Sequence, residues 1–98
     1  MSESMMHLIP FTQFVLPDGK RKQIEFETEN KEVADLAHAL IEKGVKFEIE
    51  ILTTGLINVE AMFNDECIAD GLCANGPPVV ETVEKMVRRA SEVINGNS

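Results

Sequence analysis

Two cysteines, two histidines and a scatter of carboxylates are the side chains of this 98-residue chain that could ligate or catalyse. Cys73 has the most suggestive setting, because the run Cys73, Ala74, Asn75, Gly76, Pro77 places a thiol just ahead of a predicted helix start, where a helix dipole lowers a thiol pKa. A thiol enzyme also needs a base. There is no CxxC, and His7 and His38 are both remote in sequence, so none is identified. A buried or half-buried structural cysteine is the simpler reading, with a small thiol- or metal-dependent enzyme using Cys73 as the alternative. Anion binding at the same turn is disfavoured, since Pro77 and Pro78 have no amide donor and Glu81 and Glu84 repel anions. A zinc site from Cys67, Cys73, His7 and His38 would draw on single ligands with no paired spacing. No catalytic residue, metal ligand or cofactor is therefore assigned.

The carboxylates are more informative. In the stretch Val45 to Phe63, VKFEIEILTTGLINVEAMF, apolar and polar residues alternate on both sides of Thr53, Thr54, Gly55. A three-residue turn with a left-handed glycine pairs Leu52 with Leu56, and counting outward sets Ile51 against Ile57, Ile49 against Val59, Phe47 against Ala61 and Val45 against Phe63. Those residues share one face and form a core wall. The other face then carries Glu48 opposite Glu60, Glu50 opposite Asn58, and Lys46 opposite Met62. Like charges directly opposite each other are unfavourable, so Glu48 and Glu60 either splay into water or meet something basic. Carboxylates suit a divalent cation, but a flat strand face gives poor multidentate geometry. The same charges could mimic a phosphate array and attract a basic protein.

Lys20, Arg21 and Lys22 form the basic cluster, just after a Pro17, Asp18, Gly19 turn. Such a tip contacts an acidic partner, or the acidic sheet face of a second copy, or simply guards an edge strand against aggregation. Arg88 and Arg89 are read as part of a solvated helix face, with Glu84 and Glu92 one turn away from Arg88.

The formal net charge of −8 repels phosphate backbones, so nucleic acid is disfavoured as a partner. A hydrophobic content of 44% excludes a disordered chain, and no apolar run has the length of a membrane span. The start MSESMMHLIP lacks a secretory pattern, so the expected location is cytoplasmic, where Cys67 and Cys73 remain free thiols. In one continuous strand these two would stand about 20 Å apart, beyond disulfide reach. A tight turn at Asp70 and Gly71 would instead set Ile68 opposite Cys73.

These side chains are positioned by a predicted order β-β-α-β-β-β-α in a single compact domain, residues 1–98, with 1–6 and 95–98 expected to be flexible. Residues 7–16 and a second strand through Phe26 make the first hairpin. A two-residue loop groups Phe11, Val15, Ile24 and Phe26 on one face, whereas a three-residue loop groups Phe14, Leu16, Ile24 and Phe26. Either way apolar residues remain on the second face, covered by an extension, a neighbouring chain or the chain's own terminus, or partly exposed. Asn30 to Lys43 is an amphipathic helix with the stripe Val33, Leu36, Ala37, Leu40, Ile41 and the stop Gly44. Asn64 and Asp65 turn the chain into a short strand around Cys67 to Cys73. Pro77 disfavours helical geometry because a proline follows it, so Pro78 opens the last helix, which buries Val79 or Val80, Val83, Met86, Val87, Ala90 and Ile94. The fold class is α+β, a mainly antiparallel sheet with two helices on one face.

From Asn30 onward the order of helix, three strands and helix is also that of the double-stranded-RNA-binding domain. That use needs a basic helix start, and here Glu81 and Glu84 stand there. The runs FVLPDGKRK, EKGVKFEIEILTTGLINVE and CANGPPV, spanning about Phe11 to Val87, resemble a group of small uncharacterised proteins of bacteriophages and mobile elements. That resemblance implies a context and no activity, and it carries over no functional residue.

The expected function is a protein–protein interaction or accessory module that is not an enzyme. Its partner is another protein or a second copy of the chain, as in a homodimer, with neither nucleic acid nor membrane involved. The expected binding residues are Glu48, Glu50, Glu60 and Met62 on the sheet face and Phe14, Lys20, Arg21 and Lys22 on the first hairpin. The alternatives are the Cys73 enzyme and an acidic nucleic-acid mimic that binds a basic protein.

Overall fold

In a computed structural model, which describes residues 6–96, the elements follow the expected order. They are β1 (His7–Val15), β2 (Arg21–Thr28), α1 (Lys31–Glu42), β3 (Lys46–Ile51), β4 (Leu56–Phe63), β5 (Glu66–Ala74) and α2 (Pro78–Ile94). The strands form one sheet in the order β2-β1-β3-β4-β5, antiparallel throughout except for a parallel contact of β1 with β3. Both helices cover one face, and the fold is α+β. No helix among the described residues is long and apolar enough to cross a membrane.

The central hairpin has the register counted from its turn, with Glu48 opposite Glu60, Glu50 opposite Asn58 and Lys46 opposite Met62. Leu52 N–H donates to Leu56 O at 2.8 Å and Gly55 has φ of +92°, the left-handed geometry that glycine adopts without strain. Phe47, Val59 and Ala61 are fully buried beneath the helices.

The first hairpin combines the two expected registers. Leu16 N–H donates to Lys20 O across Pro17, Asp18 and Gly19, which is the three-residue loop. A bulge between Phe11 and Phe14 then inserts one extra β1 residue, so Ile9, Phe11 and Phe14 all pair with helix-side residues of β2 and β3. Phe11 stacks at a tilt on Phe26 and Phe47, with ring centroids 5.8 and 5.6 Å away. Val15, opposite Arg21, falls on the other face.

The strand expected around Cys67 to Cys73 is longer, and Gly71 lies inside it rather than in a turn. Asn64 and Asp65 make the tight turn before it at φ of 54° and 66°, a region their short polar side chains tolerate. Gly71 is required by α2: a Cβ built there would sit 2.6 Å from Thr82 Cγ2.

The Asn30 side chain caps α1 by accepting from Val33 N–H at 3.2 Å, and Gly44 at φ of +105° ends it. Pro77 departs from expectation, since its φ of −52° and ψ of −34° are already helical, with Pro78 the first residue of α2. α2 buries Val83, Met86, Val87 and Ala90, and of the two candidate valines it is Val79 that packs on the core while Val80 is exposed. Arg88 reaches across to α1 instead of along its own helix, pairing with Glu32 at 3.0 Å. Glu84 accepts a hydrogen bond from the buried Thr28 hydroxyl at 3.1 Å. Asn95, expected in the fraying tail, accepts from Lys43 Nζ at 2.9 Å and donates to Ser91 Oγ at 3.1 Å, tying the ends of the two helices together. Residues 1–5, 97 and 98 of the segments expected to be flexible lie outside the described residues.

Candidate binding surface

Strand alternation leaves the helix-free face of the sheet to the residues between the core positions. Gln13, Glu48, Glu60 and Asp70 stand in one row across β1, β3, β4 and β5, and the next row is Val15, Glu50, Asn58 and Leu72. Four carboxylates thus share a small area. Among the described residues, none of the four is in an ion pair.

The electrostatics record the crowding. The Glu60 carboxyl is half-buried and its pKa is raised, first by burial and then by the Glu48 carboxylate, with Asp70 and Glu50 adding to it; the neighbouring Cys67 thiol opposes the rise. Burial likewise pushes the Cys67 thiol up, and Glu60 and Asp70 push it further. Cys67 is exposed and its Sγ donates to Ala69 O at 3.4 Å.

Asp70 escaped sequence reasoning for a geometric reason. Counting back from the Asn64–Asp65 turn pairs Phe63 with Glu66 and Met62 with Cys67, and would then set Asp70 opposite Val59, facing the core. A bulge between those pairs and Ala61–Ala69 shifts the register by one and turns Asp70 outward, opposite Glu60.

The other expected binding residues distribute unevenly. Met62 is half-buried between Lys46 and Cys67 on the acidic face, beside a polar recess lined also by Gln13, Asn64 and Asp65. Phe14 lies on the opposite, helix-side face, half-buried against the core, and does not join this surface. Lys20 pairs loosely with Asp18 at 4.0 Å. Arg21 is exposed on the acidic side but on the far edge strand, two strands from Glu50, whereas Lys22 opposes Phe14 on the helix side.

Cys73 opposes Ile57 on the helix side and packs half-buried against the core. His38 Nε2 lies 2.7 Å from Leu8 O on β1, and His7 begins β1, so β3 and β4 separate both imidazoles from Cys73 on β5. Among the described residues, no group of three or more His, Cys, Asp or Glu side chains is arranged to hold a metal ion. No family model, curated protein or solved structure matches the chain.

Proposed function

We propose that this protein is a binding module whose helix-free sheet face receives a basic segment of another protein. The observation that carries this reading is the row Glu48, Glu60 and Asp70 on three adjacent strands, three like charges with no ion-pairing partner among the described residues. A fold that gained nothing from this row would be more stable with a neutral residue at its centre, because the charge of Glu60 is opposed by its neighbours and by burial. A cationic partner relieves that repulsion. Such a face binds through charge and shape and does no chemistry of its own.

The reading is tested by capturing partners from a native host extract on the immobilised chain. The charge-removing pair Glu48→Gln with Glu60→Gln should lose the capture and raise thermal stability together, while Cys73→Ser should leave both unchanged. Loss of capture with Cys73→Ser and retention with the neutralised pair would overturn the proposal in favour of thiol chemistry. Displacement of the captured protein by duplex DNA at low salt would identify the face as a nucleic-acid mimic.

A further inference from the structure

We infer that the β2 edge pairs antiparallel with β2 of a second copy of this chain, joining two sheets across a two-fold axis at Ile24. β2 has β1 on one side and, among the described residues, no strand on the other. Its hairpin fixes which backbone groups are free. Because Leu16 N–H donates to Lys20 O, even-numbered β2 residues turn their N–H and C=O toward β1, and Arg21, Gln23, Glu25 and Glu27 turn theirs outward. The β1 bulge leaves this alternation intact, since the extra residue lies on β1.

Charge selects the occupant. The strand RKQIEFET is basic at its start and acidic at its end, a pattern complementary to itself only when reversed. With Ile24 opposite its own symmetry mate, Arg21 faces Glu27 of the second copy twice and Gln23 faces Glu25 twice, all on the helix-free side. On the helix side the Lys22 stem lies over Phe26 of the other copy, and the half-buried Ile24 side chains meet on the axis. Shifting the register so that Glu25 lies on the axis sets that carboxylate against itself. A parallel arrangement opposes like to like at every charged position. Among the described residues, Arg21, Lys22, Glu25 and Glu27 make no ion pair within the chain. The charges that could guard a strand edge therefore oppose the Glu25-centred and the parallel arrangements and permit this one.

The pairing is independent of the acidic-face reading, but it has a geometric result for it. A two-fold axis perpendicular to the sheet keeps both helix-free faces on the same side. The β3 strands of the two copies then stand five strand spacings apart, about 24 Å.

The test is sedimentation velocity on the full chain over a micromolar-to-millimolar series, with circular dichroism of each variant as the check of folding. Wild type should associate to a dimer, weakly, because one strand edge is a small interface. Arg21→Glu and Glu27→Arg should each weaken the dimer on the order of thirtyfold to a hundredfold, because two symmetric contacts reverse at once, and the double variant should restore it. Gln23→Pro should abolish it with the monomer's spectrum unchanged, because the N–H removed points away from β1. Carrying Ile24→Cys on a Cys67→Ser, Cys73→Ser background, the chain should form a disulfide-linked dimer under mild oxidation, and Glu25→Cys should not. A chain monomeric at every concentration, a dimer indifferent to Gln23→Pro, or a double charge variant no better than either single would overturn the inference.

Discussion

Replacing Glu60 by glutamine should make the protein more stable at neutral pH. Its carboxylate is flanked on both sides by directly opposed carboxylates, Glu48 on β3 and Asp70 on β5. Strands about 4.8 Å apart hold such groups at about 5.5 Å, where two unit charges in water repel by about 0.8 kcal/mol. Salt at the physiological level, with a Debye length of about 8 Å, halves this to about 0.4 kcal/mol per pair. Two pairs therefore oppose folding by about 0.8 kcal/mol, which in a domain of this size is a rise of about 3–6 °C in Tm on substitution. The pH dependence has a definite sign. Since the folded pKa of Glu60 is raised, its charge destabilises the native state above that pKa, and the penalty is gone once pH falls below the unfolded value of about 4.3. Thermal melts of wild type and Glu60→Gln at pH 7 and at about pH 3 should show the gain at the first and its loss at the second. High salt at pH 7 should shrink it. A gain that persists at acid pH, or a loss of stability at pH 7, would refute the electrostatic account.

Three further outcomes follow from the packing and the thiol environment. Gly71→Ala should cost about 1–3 kcal/mol by urea denaturation, because its methyl collides with Thr82 Cγ2, and adding Thr82→Ser should recover more than half of the loss. Thr28→Val should cost about 1–2 kcal/mol, since the buried hydroxyl both donates to Glu84 and accepts from Asn30 N–H at 3.0 Å; an unchanged urea midpoint would remove that bridge from the account. Cys67, though exposed, should alkylate more slowly at neutral pH than a free thiol in a short peptide, and Glu60→Gln should speed it. Equal rates in wild type and variant would contradict the raised thiol pKa.

The central hairpin was legible because one glycine turn sets its register and strict alternation carries that register outward. The helices were legible from their stripes and caps. Both bulges were not. A bulge is a local disruption of pairing that is offset only when distant side chains pack, here Phe11 and Phe14 together beneath the helices and Ala69 in the core. The same blindness hid Asp70, so the acidic row was one member short when read from the chain alone. Phe14 was expected on a binding tip for the same reason: without the β1 bulge, Phe11 and Phe14 take opposite faces. Arg88 was assigned local partners, whereas its true partner, Glu32, lies on another helix and is set by the packing of α1 on α2.

The lone parallel contact in the sheet also orders assembly in time. β3, β4, β5 and α2 are consecutive and can form from neighbouring segments, but the β1–β3 contact joins Gln13 to Glu48 and spans only three residue pairs, Gln13 to Val15 against Glu48 to Glu50. Closing so long a loop for so short a ladder is slow, so we expect pulsed hydrogen exchange to find the Val59 and Ala61 amides protected before that of Val15, whose N–H turns away from β2 toward β3. The reverse order would contradict this. As the chain leaves the ribosome, the N-terminal hairpin is made first and docked last, and it holds Ile9 and Phe11 exposed until its parallel neighbour has been synthesised.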